Sequence, residues 1–136
     1  MKIRFLWPLL CLAAAVLVSG CGGPLVGATG RVTYKGDPMP GVLVQFWPVD
    51  GKRMSVGNTD ADGRFKLAYS RTEPGVLPGE HNVTLAYQPT EDEERKGKLP
   101  KEVRAILAKY NDRKTSTLKY EVKGGDHFDI ELSSLK

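Results

Sequence analysis

The sequence predicts an all-β protein: a single antiparallel β-sandwich of about seven short strands, with one short helix before the last two strands. Three observations point there. Beyond residue 28 the dominant hydrophobic period is two, the period of a strand with one buried face. Gly, Pro and Asp recur between the alternating runs and punctuate them. One stretch alone, near residues 101–110, changes to a helical period.

Gly30 to Lys35 sets Val32 and Tyr34 on one face, with Arg31, Thr33 and Lys35 on the other. Gly36-Asp37-Pro38-Met39-Pro40-Gly41 is turn-forming by its Gly and Pro content. Val42 to Trp47 follows with Val42, Val44 and Phe46 inward, which leaves Trp47 pointing outward beside Pro48. Arg53 to Thr59 is a weaker strand carrying Met54 and Val56, and Asp62-Gly63 is a hairpin signal. Arg64 to Tyr69 alternates again, with Phe65, Leu67 and Tyr69 on one side. After a loop at Pro74 to Gly79, His81 to Tyr87 presents Val83, Leu85 and Tyr87 together.

Glu91 to Lys98 is too polar to bury and reads as an exposed, mobile insertion. Val103, Ile106, Leu107 and Tyr110 then fall at helical spacing, with Pro100 near the start and Asn111 near the end. Two strands close the chain: Leu118, Tyr120 and Val122 face inward on one, Phe128, Ile130 and Leu132 on the other. Gly124-Gly125 between them suits a two-residue hairpin loop.

The first residues have a different character. Lys2 and Arg4 precede an uncharged, largely apolar run from Phe5 to Val18, 14 residues long. A membrane span needs about 20 such residues, so the run suits the core of a signal peptide instead. Residues 1–20 are expected to be removed, 21–28 to form a tether and 29–136 to form the sandwich. The whole chain carries a net charge of +4, from 20 basic and 16 acidic side chains. Loss of Lys2 and Arg4 leaves 18 against 16, and no dense basic stripe remains to suggest nucleic acid as a partner. Cys11 and Cys21 both precede the sandwich, so no disulfide staples it.

Leu17-Val18-Ser19-Gly20-Cys21 resembles the lipobox of bacterial lipoproteins. The resemblance implies diacylglyceryl transfer to the Cys21 sulfur, cleavage before it and N-acylation. Two or three chains anchor firmly where one does not. Gly22, by the same resemblance, favours the outer membrane, with the domain exported and facing the periplasm.

Gly30-x-Val32-x-x-x-Gly36-x-Pro38-x-x-Gly41-x-x-Val44-x-Phe46, followed by Thr59-Asp60-Ala61-Asp62-Gly63-Arg64-Phe65, resembles the carboxypeptidase regulatory-like domain, a transthyretin-like sandwich. Leu77 to Val83 is similar to the start of a later strand in that family, with His81 where Tyr is usual. Pro100, Lys109-Tyr110 and Thr115 to Leu118 are similar to a subgroup of small lipoproteins of Planctomycetes. These motifs are turn grammar, specific for fold and weak for function.

Little in the sequence carries chemistry. Asn58 to Gly63 matches the first half of a calcium loop, but its twelfth position is Tyr69, so a turn closed by Asp–backbone bonds is the better reading. His81 and His127 lack a clear carboxylate or cysteine partner in the sequence and read as surface or corner residues. Lys35, with Asp126 or Asp129, is a weak candidate for an isopeptide cross-link. Trp47 is the candidate ligand contact, either as a platform for sugars or as cover for a sheet edge or the helix. The expectation is therefore a non-enzymatic, cofactor-free envelope module. Its partners would be membrane lipid through acylated Cys21 and an envelope protein or glycan. The alternatives are a carbohydrate-recognition accessory domain and a small hydrolase.

Overall fold

The computed structural model describes residues 24–135. The expected signal segment 1–20 and Cys21 lie outside them. Eight strands form two four-stranded sheets. In chain order they are β1 (Ala28–Tyr34), β2 (Asp37–Pro38), β3 (Val42–Pro48), β4 (Ser55–Asn58), β5 (Arg64–Lys66), β6 (Gly79–Tyr87), β7 (Lys119–Val122) and β8 (Asp126–Glu131). Helices α1 (Glu91–Arg95) and α2 (Lys101–Tyr110) lie between β6 and β7, and a 3₁₀ turn (Leu132–Ser134) follows β8.

In the first sheet β1 is central. It pairs antiparallel with β2 and β5 along one side, and parallel with β8 along the other. The second sheet has the order β4-β3-β6-β7, antiparallel throughout. The expected sandwich is present, with one parallel pair in an otherwise antiparallel arrangement. Both expected hairpins are corrected: Asp62-Gly63 and Gly124-Gly125 each carry the chain from one sheet to the other. Turn residues fix local backbone angles, and those angles do not choose the partner strand.

Alternation works as anticipated for most strands. Val32, Val42, Val44, Phe46, Phe65, Leu67, Val83, Leu85, Val122 and Ile130 are all buried. Phe46 ties the sheets together. Its ring lies 6.0 Å from Tyr120 in its own sheet and 5.2 Å from Phe128 in the other. Gly30 makes room in the same layer: a Cβ there would stand 2.3 Å from the Phe65 ring. In β4 the inward residues are Ser55 and Gly57, and Val56 takes the opposite side.

The sandwich is closed differently along its two flanks. On one, Val56 and Ala68 exchange backbone hydrogen bonds of 2.9 and 2.8 Å, stitching β4 to the residues after β5. On the other, β7 pairs with Gly79 to Asn82 and so covers the first half of β6. α2 packs against β6 and buries Val103, Leu107 and Tyr110 of the predicted stripe, with its fourth member, Ile106, partly buried against the core. The segment expected to be a mobile insertion contains α1. None of its residues is buried, but Thr90 and Glu93 form a reciprocal capping box that holds it helical.

Candidate functional site

The outer face of β5, β1 and β8 carries a row-by-row cluster of polar and charged side chains. Register dictates its layout. Lys66, Thr29 and His127 form one row across the three strands, and Arg64, Arg31 and Asp129 form the next. Alternate residues share a face, so each strand contributes both of its outward positions. Together with Asn58 and Asp60 these residues line an open depression.

His127 is better connected than its sequence suggested. Thr29 Oγ1 lies 3.2 Å from Nδ1, and Asp129 Oδ1 lies 3.1 Å from Nε2. The carboxylate partner arises because Asp129 sits two residues along the same strand. The order hydroxyl–imidazole–carboxylate is that of a nucleophile, base and orienting acid. Here, however, the His127 and Asp129 side chains are 53% and 78% exposed. A chain of bonds open to water lacks the desolvated, preorganised surroundings that make such a group catalytic.

Asp60 is occupied by the local turn. Its Oδ1 accepts hydrogen bonds from the Asp62 and Arg64 N–H groups at 2.9 and 3.0 Å, and Gly63 adopts a φ of +72°. This is the Asp-closed turn expected of Asn58 to Gly63. Arg31 Nε donates to the Asp62 carbonyl at 3.3 Å. Among the described residues, Arg31, Arg64 and Lys66 form no ion pair within 4.0 Å.

Trp47 lies on the outer face of the other sheet and is half-buried. Its indole N–H donates to Thr84 Oγ1 at 2.9 Å, and the Thr84 hydroxyl donates to Gln45 Oε1 at 3.0 Å. The Arg113 guanidinium stands 4.5 Å from the ring centroid, in cation–π range. Arg113 belongs to the loop after α2, so that loop, rather than the helix stripe, meets the indole. A shallow depression beside it is lined by Asn82, Asn111, Asp112 and Lys114.

His81 corrects the expectation of a surface or corner role, being only 1% exposed. It packs 5.8 Å from the Phe46 ring. Nδ1 lies 2.9 Å from the Gly79 carbonyl, which can only accept, so Nδ1 carries the proton. Nε2 is then a buried acceptor without a hydrogen-bond partner among the described residues. Burial pushes the imidazole below its ordinary value, opposed by the Gly79 bond.

Glu131 is the other polar node, and sequence reasoning passed over it. It accepts from Thr33 Oγ1 at 2.7 Å, the Lys35 N–H at 2.7 Å and Ser133 Oγ at 2.6 Å. The Gly36 and Ser133 N–H groups add bonds of 3.2 and 3.1 Å. The Ser133 hydroxyl bond leads the effects that hold this carboxyl at about 2. The cluster clamps the turn after β1, where Lys35 has a φ of +50°, to the end of β8. Lys35 Nζ lies 3.9 Å from Glu102, while Asp126 and Asp129 pair in register with Ala28 and Arg31. The isopeptide geometry is thus not formed.

No family model matches this chain, and no curated protein matches it. Among solved structures it is similar to a DUF3823 family protein from Parabacteroides merdae, at 18% identity and a TM-score of 0.46. That match covers 80% of this chain and 46% of the other, so this chain spans less than half the length of the protein it matches.

Proposed function

We propose that this protein is a lipid-anchored module of the cell envelope that acts by binding or scaffolding, not by catalysis. After export and loss of residues 1–20, acylated Cys21 holds it to membrane lipid on a periplasm-facing surface, with the outer membrane favoured. Likeness to the carboxypeptidase regulatory-like domain belongs to the same proposal.

The observation that supports this most is how soon folding begins after the cysteine. Val26 exchanges two 2.9 Å backbone hydrogen bonds with Val76, and β1 starts at Ala28. An extended residue spans at most about 3.6 Å, so the steps from Cys21 to Val26 reach roughly 18 Å. Such a link keeps the sandwich against the bilayer, where a surface-bound module would work.

Expression of the full chain and of Cys21→Ser in a bacterial host, followed by fractionation and intact mass, tests this. The expected result is membrane-bound wild type, lacking residues 1–20 and heavier by its acyl chains, and a variant that loses both properties. Equal mass and equal membrane attachment for the two would sink the proposal.

A further inference from the structure

We infer that the outer face of β5, β1 and β8 binds a linear acidic polysaccharide, through anionic groups that dock on Arg31, Arg64 and Lys66. The inference rests on the binding-module reading and names its ligand class.

Arg31 and Arg64 are direct partners across the β1–β5 ladder, and Lys66 faces Thr29 one row away. Like charges placed directly opposite destabilise a sheet. Among the described residues no acid within 4.0 Å relieves them. The two carboxylates nearby are committed elsewhere, Asp60 to the turn amides and Asp129 to His127. Three cations are thus gathered by register against two carboxylates that are engaged in other hydrogen bonds, so the depression keeps an excess of positive charge that an external anion complements. Guanidinium groups match carboxylate and sulfate oxygens with paired N–H bonds.

The shape selects an extended ligand. Three strands span about 10 Å and successive outward residues stand roughly 6–7 Å apart, so the cations form a short open track instead of an enclosed pocket. Thr29 and Asn58 lie beside the track and suit sugar hydroxyls. The direction of the tether favours a polymer over lipid headgroups. The chain enters at the strand ends, through Val26 and Val76. With the tether taut, the strands run away from the anchor and the charged face is turned sideways to the bilayer.

Titration calorimetry on the full chain in non-ionic detergent tests the assignment. The probes are polygalacturonate oligomers, dextran sulfate, neutral cello-oligosaccharides and phosphatidylglycerol vesicles. Binding to either acidic glycan, and not to the neutral one, is expected, with affinity falling as salt rises. Arg31→Gln and Arg64→Gln should each weaken it about tenfold, the scale of one lost charged hydrogen bond. Lys52→Gln, which removes an equal charge from a residue paired with Asp50, should leave it unchanged. No binding of either acidic glycan overturns the assignment. So does binding that survives both arginine substitutions with the fold intact by circular dichroism, or binding of vesicles in place of glycan. None of these outcomes alters the fractionation of Cys21→Ser, so failure here and failure of the anchoring proposal are separable.

Discussion

The two sheets present outer faces built on opposite principles. On the β3–β6 side the polar groups answer one another: Trp47 donates to Thr84, Thr84 donates to Gln45, and Arg113 covers the indole. On the β1–β5–β8 side Arg31 and Arg64 face each other across the ladder with no acid between them. The first face resembles an interior polar network, whose value lies in being fully satisfied. The second leaves electrostatic demand open to solvent. Side-chain composition alone does not separate the two. The difference lies in whether each group finds its complement within the chain.

Four substitutions test that contrast. The largest effect is expected from Glu131→Gln, at the far end of the charged sheet. Its carboxylate accepts five hydrogen bonds, and charged hydrogen bonds are worth ~1.5–3 kcal/mol, so a loss of about 2–3 kcal/mol is expected in denaturant unfolding at neutral pH. The folded carboxyl titrates at about 2 against an ordinary 4.5. Its contribution is therefore complete above pH 4.5 and is lost as pH falls towards 2, and the variant should lack that acid limb.

Next comes Thr84→Val, which strands the Trp47 N–H and the Gln45 Oε1 acceptor. Urea unfolding should show a loss of about 1–2 kcal/mol. An unchanged midpoint would mean that the closed face is no more satisfied than the open one. His81, between the sheets, offers a smaller and pH-selective effect. The unfolded imidazole takes up a proton near 6.5, while the folded one does so only at lower pH. Stability should accordingly be full above pH 6.5 and decline below it, and His81→Leu should flatten that decline while leaving the Glu131 limb below pH 4.5 in place. The smallest change is expected from Arg64→Gln. Relieving a like-charge pair should raise stability by about 0.2–1 kcal/mol, and added salt should shrink the gain. A loss of stability would show that Arg64 is satisfied where it stands.

Sequence and structure agree where the signal is local. The alternation of Val42, Val44 and Phe46 appears as written, and so does the helical stripe of Val103, Leu107 and Tyr110, with Ile106 partly buried beside it. His81 shares the phase of Val83 and Leu85, so its burial was legible, but its polar type argued against it. Thr90 and Glu93 likewise spelled a capping box inside a segment that composition alone marked as loop. The charged face was half legible. Arg31, Arg64, Lys66, His127 and Asp129 all occupy polar phases of their strands, yet no local rule says that β1 lies between β5 and β8. That adjacency is set by the two sheet-crossing corners, whose glycines suit a hairpin equally well. Glu131 was illegible for the same reason, since Thr33 and Lys35 are remote in sequence.

The parallel pairing of β1 with β8 has a mechanical side. Six residue pairs, from Ala28↔Asp126 to Thr33↔Glu131, lie side by side with both strands running the same way. β1 begins at the end nearest Val26, and β8 finishes at the opposite end of the sandwich. A pull between those two ends would slide the strands lengthwise past each other, loading the whole row of hydrogen bonds at once instead of peeling them singly. Single-molecule extension from those ends should therefore meet a higher rupture force than extension that opens the β3–β4 edge. For a domain held at one end and gripped at the other, that geometry makes the sandwich a strut under tension.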